Sequence, residues 1–131
     1  MTKKELNQIY YINREIKMWR RELEKLENKS LVKSQEITDM PGGRTGKDNT
    51  ADIAIKKADI EAIIKGLLSE ANISRYKIMK YLCNVEDSLM RQIIFLRCVS
   101  CLPWSVVAEE VGGENTEDSV RMSFNRYVER E

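Results

Sequence analysis

Cys98 and Cys101 form a C-x-x-C pair, the first group in this chain whose spacing could support chemistry. Such a pair can hold zinc with two further ligands, or act as a redox dithiol. The chain has no histidine and one other cysteine, Cys83, so a full set of zinc ligands is lacking. A redox thiol is normally activated at a helix N-terminus, whereas this pair falls at the C-terminal end of a predicted helix. We therefore interpret the cysteines as structural and predict no metal site.

The remaining polar residues do not predict an enzyme. With no histidine, the chain has no convergent group of Asp, Glu, Cys or Ser typical of nucleophilic or acid–base catalysis. The Gly42–Lys47 stretch approximates a phosphate-binding loop, but Pro41 and Asp48 stand where that loop has Gly and Ser or Thr, and no strand is predicted before it. We predict no catalytic residues and no cofactor.

A second group of polar residues, in the last third of the chain, could contact nucleic acid. If Val120 and Phe124 face inward on a helix, its period turns other side chains toward solvent. An outward asparagine can pair with an adenine edge, an aspartate can accept from cytosine, and arginines can hold phosphates. The candidate DNA-binding residues are Thr116, Asp118, Arg121, Met122, Asn125 and Arg126.

Three short helices are predicted to carry these residues. The first spans Asp87 to Val99, the second spans Leu102 to Gly113, and the third is capped by Thr116. Pro103 suits the first turn of the second helix, and Gly112 suits its end. The side chains expected to face inward on the first two helices are Leu89, Ile93, Leu96 or Phe95, Val107, Ala108 and Val111.

The first 84 residues carry two long apolar stripes separated by a turn-rich segment. Apolar residues recur mostly at helical spacings from about Lys3 to the high twenties, and again from near Thr50 to about residue 83. Residues 38–50 contain Met40-Pro41-Gly42-Gly43, typical of a flexible linker. The stripes comprise Ile9, Ile12, Ile16, Trp19, Leu23 and Leu26, and then Ile53, Ile60, Ile64, Leu67, Ala71, Ile78 and Tyr81.

These elements predict an all-α fold. Two long helices joined by a short loop fold back on each other, so residues 1–84 are expected to form a long antiparallel, coiled-coil-like helical hairpin. Residues 85–131 are expected to form a three-helix helix-turn-helix module. No apolar run approaches the roughly 18 residues of a membrane span, and the first residues lack a signal peptide's apolar core, so we expect a cytoplasmic protein with no membrane association.

Charge is distributed unevenly along the chain. Residues 1–36 hold nine Lys or Arg and six Asp or Glu, a balance of +3, whereas residues 85–131 hold five Arg and nine Asp or Glu, a balance of −4. Phosphate neutralisation supplies most of the affinity for DNA. The basic hairpin is therefore a candidate for non-specific phosphate contacts, and the acidic module favours an alternative in which it contacts protein.

The C-terminal stretch resembles region 4 of sigma factors and related phage regulators. Cys101 stands where that pattern has a turn glycine, and Pro103 where it has a capping serine. With its basic N-terminal helix, Met-Pro-Gly-Gly linker and long second helix, the whole chain also resembles short phage proteins related to late-gene transcriptional activators of the RinA and ArpU kind. The matching residues are Arg91, Leu96, Arg97, Leu102, Trp104, Val107, Ala108, Val111, Gly112, Ser119, Val120 and Arg121.

The resemblance implies a phage or prophage transcriptional regulator in the cytoplasm of a bacterial host cell. Its third C-terminal helix would enter the major groove of double-stranded DNA, or the module would touch host RNA polymerase. The hairpin would form a homodimer or higher homo-oligomer. Two alternatives stay open: a small terminase-like DNA-packaging subunit, and a protein-interaction module whose helix-turn-helix does not bind DNA.

Overall fold

All of the regular secondary structure that is described is helical, which confirms the predicted all-α class. The computed structural model describes the backbone of residues 1–39 and 44–130, and the side chains of residues 1–29 and 50–130. The chain divides into two compact units. We call Met1–Asn13 with Glu70–Glu131 the terminal unit, and Arg14–Ser69 the central unit.

The chain begins with α1 (Lys3–Leu6) and continues into α2 (Gln8–Asp39). A reciprocal capping box starts α1: Glu5 N–H donates to Thr2 Oγ1 over 3.2 Å, and Thr2 N–H donates to Glu5 Oε2 over 3.0 Å. These bonds satisfy two backbone donors that a helix start would otherwise leave open. α2 continues well beyond the end that we predicted in the high twenties.

The next helix, α3 (Arg44–Leu82), starts before the predicted position at Thr50. Of the linker predicted at residues 38–50, the outer parts belong to the ends of α2 and α3, and residues 40–43 lie outside the described residues. The predicted stripe residues of α3 are buried, except for the half-buried Tyr81.

The stripe of α2 is buried only in part. Ile9, Ile12 and Ile16 are buried, whereas Trp19, like Leu23 and Leu26, is half-buried. The indole Nε1 of Trp19 donates to Glu15 Oε2 over 2.9 Å. This bond pairs the polar edge of the ring on the exposed side of the helix. Trp19 is therefore not fully buried.

Two helical segments replace the single helix that was predicted from Asp87 to Val99. They are α4 (Ser88–Ile94), capped by Asp87, and a π-helix (Phe95–Val99) that closes with Ser100 N–H donating to Phe95 O over 3.0 Å. The wider π turn displaces side chains only from Phe95 onward, whereas Leu89 lies before it in the first turn of α4. The predictions for this segment are thus corrected: Leu89 and Phe95 are exposed and Leu96 is half-buried, while the buried residues are Met90, Ile93, Ile94 and Cys98.

Two further helices complete the terminal unit, α5 (Trp104–Val111) and α6 (Glu117–Glu129). α5 packs against α6, and α4 packs against both. The core of this unit joins residues from every one of its helices, and no described residue in it that is buried is polar. The core residues are Leu6, Ile9, Ile78, Leu82, Val85, Met90, Ile93, Ile94, Cys98, Val107, Ala108, Val120, Phe124 and Val128.

Candidate nucleic-acid interface

The turn between α5 and α6 depends on two glycines. Gly112 ends α5 and Gly113 follows it, both with φ of +68°, a conformation that other L residues rarely adopt. Gly112 N–H donates to Ala108 O over 3.1 Å, and Asn115 Nδ2 donates to Gly112 O over 2.9 Å. Backbone and side-chain bonds together fix the short connection that leads into α6.

The start of α6 is fixed by a second reciprocal cap. Ser119 N–H donates to Thr116 Oγ1 over 3.1 Å, and Thr116 N–H donates to Ser119 Oγ over 2.8 Å. Thr116 therefore caps α6 as predicted, and its hydroxyl oxygen is already used in holding the helix start. Glu117 and Asp118 lie in the first turn, where the helix dipole favours negative charge.

One face of α6 is buried in the terminal unit. Val120, Phe124 and Val128 face the core, as predicted for the first two of them. The ring of Phe124 packs at a tilt against Trp104 of α5, with 5.3 Å between the ring centroids. Because Trp104 stands at the beginning of α5, this contact fixes the two helices against each other at that end.

The opposite face of α6 carries the predicted DNA-binding side chains. Met122 is 54% exposed, and Asp118, Arg121 and Arg126 are also exposed. Asn125 is half-buried, so it lies nearer the edge of this face than we predicted. The five side chains lie on one helix, but Met122 is the largest apolar group among them and Asn125 the least accessible.

The charges on this face are partly neutralised within the chain. Arg121 Nη2 lies 3.0 Å from Asp118 Oδ1, one helical turn earlier. The arginine is 49% exposed and the carboxylate more so, and an exposed pair of this kind contributes little to stability. Its effect is on the surface charge, since Asp118 cancels the charge that Arg121 would offer to a phosphate.

Arg97 has a structural role that could not be predicted from its match to the family pattern. The Arg97 guanidinium lies 4.6 Å from the Trp104 ring centroid and 5.7 Å from that of Tyr10. Its Nη1 donates to Leu102 O over 3.0 Å. Arg97 thereby joins the π-helix to the loop and to the start of α5.

The two cysteines of the C-x-x-C pair lie in the core and in the turn, and burial raises the pKa of both thiols. Burial raises the pKa of Cys98 to about 12, outweighing the lowering effect of Arg97. Burial also raises the pKa of Cys101, against the lowering effect of the Asn13 hydrogen bond. A raised pKa suppresses the thiolate, which is the form that binds metals and attacks disulfides.

The described residues contain no cluster of three or more His, Cys, Asp or Glu side chains placed to hold a metal ion. None of the helices they form combines the length and apolar character that crossing a membrane requires.

Comparison with known proteins gives no family for this chain. No protein-family model, no curated protein and no solved structure matches it.

Proposed function

We propose that this chain is a DNA-binding transcriptional regulator of a phage or prophage, and not an enzyme. In this proposal α5, the glycine turn and α6 act as a helix-turn-helix, and α6 enters the major groove of double-stranded DNA. The observation that carries the proposal is the two-sided character of α6. Its inner face is locked by Val120, Phe124 and Val128, while its outer face offers charged and amide groups to a partner.

The long helices supply the second part of the proposal. We assign α2 and α3 to an antiparallel hairpin with Lys and Arg on its surface, such as Lys17 and Arg21, which are both exposed. A homodimer would double the few cationic contacts that one module can make, since α6 itself contributes only Arg121 and Arg126. Host RNA polymerase is the alternative target of the same module.

A protein-interaction module is the second candidate, and Met122 favours it. An exposed methionine at the centre of the open face, beside a neutralised Asp118–Arg121 pair, suits an apolar protein contact. DNA binding therefore has to be measured directly.

The test is a titration of the full chain with fluorescent genomic fragments of phage or host, at two salt concentrations. We expect Arg126→Ala to lower affinity evenly across fragments and to reduce the salt slope by about 1, as for a lost phosphate contact. Asn125→Ala should cost about 1–3 kcal/mol and relax preference at one position. Asp118→Asn should tighten non-specific binding, because it removes an anion and releases Arg121.

Arg91→Ala is the matched control for charge, because Arg91 is exposed on α4 and is not one of the predicted DNA-binding residues. It should leave the affinity within about twofold of the unaltered chain. If the α6 variants bind normally while a Lys17→Ala, Arg21→Ala double variant loses binding, the hairpin and not α6 contacts DNA. If nothing binds at about 50 mM salt, where electrostatic affinity is strong, the protein-interaction module replaces the regulator.

A further inference from the structure

An open groove of about 600 Å³ lies within the terminal unit. Its apolar lining comes from the C-terminal end of α3 and from the π-helix, and none of the described residues that line it belongs to α6. Pockets for small molecules usually have volumes of about 300–1,000 Å³ and a mainly apolar lining with a few polar groups. The apolar lining residues are Met79, Leu82, Cys83, Phe95 and Leu96.

Two large apolar side chains in this lining are open to solvent. Met79 is 44% exposed and Phe95 is 38% exposed, while Leu82 is buried. Covering such groups removes apolar surface from water, which is favourable. Phe95 and Leu96 also begin the π-helix, and π turns that follow on from an α-helix are frequent at functional sites. The lining therefore favours an occupant with an apolar body.

An arginine supplies the groove with hydrogen-bond donors. Arg91 lines the groove from α4, one helical turn before Phe95. Its Nη2 donates to Glu86 O over a long distance of 3.4 Å. Among the described residues no carboxylate forms an ion pair with Arg91, so several of its N–H donors are available. The planar guanidinium matches a carboxylate, which can accept two parallel bonds from it.

The other polar lining groups give the groove a direction. Glu110 is exposed and is the one described lining residue that comes from α5. Its carboxylate disfavours a second anion on that side of the groove. Gln92 Nε2 donates to Ser88 Oγ over 3.4 Å, so these two α4 side chains already contact each other. An anionic group is therefore favoured at Arg91 and disfavoured near α5.

We propose that this groove binds a small amphiphilic acid, a molecule with an apolar body and one carboxylate. The body covers Met79, Phe95 and Leu96, and the carboxylate accepts from the Arg91 guanidinium. Size favours a small molecule over a partner helix. A helix is about 10 Å across with its side chains and rises about 5.4 Å per turn, so the groove would take in only roughly one and a half turns.

Cys83 makes binding measurable without DNA. It is an exposed free cysteine in the groove, whereas Cys98 is buried and Cys101 is half-buried. The probe is decanoate, used below its micelle concentration at neutral pH, where its carboxylate is ionised. Decanoate should slow the alkylation of Cys83 by iodoacetamide in the full chain, with a saturable dependence on concentration. Decanol, which has the same body without a charge, should protect Cys83 with lower affinity.

Arg91→Ala tests the recognition of the carboxylate. It should raise the apparent dissociation constant of decanoate about tenfold, because a charge-assisted bond is lost. The constant for decanol should stay within about twofold, since decanol makes no such bond. Arg126→Ala is the matched control, an exposed arginine of α6 outside the groove, and should change neither constant. Because Arg91→Ala is expected to keep DNA binding, failure of this site and failure of the proposed function are separate results.

Met79→Glu tests the apolar part of the groove. It sets a carboxylate into the lining and should abolish protection of Cys83 by both probes, because their apolar body would have to desolvate that charge. Met122→Glu is the matched control, since Met122 is 54% exposed on α6, and protection should persist. Circular dichroism of both variants should show the helical content of the unaltered chain.

Three results would overturn the proposal. Unchanged alkylation of Cys83 at every decanoate concentration excludes a small acid and leaves the groove to a protein partner. Protection by decanoate that is insensitive to Arg91→Ala means that the carboxylate is not recognised there. Stronger protection by decylammonium, lost in Glu110→Gln, means a site for cations and not for acids.

Discussion

Cys101 adopts a backbone conformation that L residues other than glycine seldom adopt, with φ of +57°. Its Sγ accepts a hydrogen bond from Asn13 Nδ2 over 3.6 Å and lies 3.8 Å from the carbonyl oxygens of Cys98 and Val99. The left-handed conformation costs roughly 1–2 kcal/mol in a residue with a Cβ. The thiol contacts, which a glycine could not make, offset part of that cost.

We predict that Cys101→Gly is more stable than Cys101→Ala by about 1 kcal/mol. Both variants lose the thiol contacts, but only alanine keeps the Cβ that disfavours positive φ. The free energies of unfolding are compared by urea denaturation. Equal stability of the two variants would mean that the turn relaxes to negative φ when the thiol is removed.

The sequence indicated this site only in part. The family pattern has a turn glycine at the position of Cys101, which indicates a positive φ there. The contact with Asn13 could not be predicted, because 88 residues separate the partners along the chain. The same holds for Arg97. Its residue type matches the family pattern, but its stacking on Tyr10 and Trp104 could be seen only once the helices were packed.

Among the helices, the π-helix is joined to α5 by Arg97. Arg97 stacks on Trp104 and donates to Leu102 O, so its planar group bridges the loop between the two elements. A lysine has neither the planar group nor the fixed donor geometry. Lysine therefore cannot replace arginine at position 97 without losing these contacts.

A double-mutant cycle tests this junction. We expect Arg97→Lys to lower the free energy of unfolding by about 1 kcal/mol, and a coupling of about 0.5–1 kcal/mol with Trp104→Leu. Arg91→Lys is the control, since Arg91 is exposed and donates to Glu86 O over 3.4 Å, outside this junction. A coupling near zero would show that stacking on Trp104 does not contribute, which leaves the hydrogen bond to Leu102 O and the contact with Tyr10.

Helices with local start and stop signals were predicted best. α6 begins at its Thr116 cap as expected, and Gly112 ends α5, because caps and positive φ are encoded by a few neighbouring residues. The π-helix was missed, since the apolar spacing from Asp87 to Val99 was interpreted as one regular α-helix. Leu89 and Phe95 were wrongly predicted to face inward, and they are 37% and 38% exposed.

For the molecule as a whole, the Cys98 thiol should make the free energy of unfolding decrease as pH rises in the alkaline range. Its pKa is raised by burial to about 12, whereas the unfolded chain should have the ordinary value of 9.0. Between these values the unfolded state releases a proton that the folded state keeps. The stabilising effect is therefore complete below about pH 9, and stability is lost as pH rises toward 12, by about 1.4 kcal/mol per pH unit.

Urea denaturation at a series of pH values from about 8 to 11 measures this loss. Cys98→Ala should show a shallower alkaline decline than the unaltered chain, with Cys101 and other groups supplying the remainder. Cys83→Ala is the control with an exposed thiol, and it should keep the full decline. Parallel curves for all three proteins would exclude Cys98 as the source.

The wholly apolar interior has a consequence for how this sequence can evolve. In the described residues no buried side chain is polar, so the interior has no hydrogen-bonded pair that must change together. Interiors of this kind accept many hydrophobic exchanges when volume and pattern are kept. Drift should therefore alter most core identities without altering the fold, while Gly112 and Gly113 stay restricted by their positive φ. In a diverged lineage, the spacing of apolar residues around this glycine pair would outlast the residues themselves.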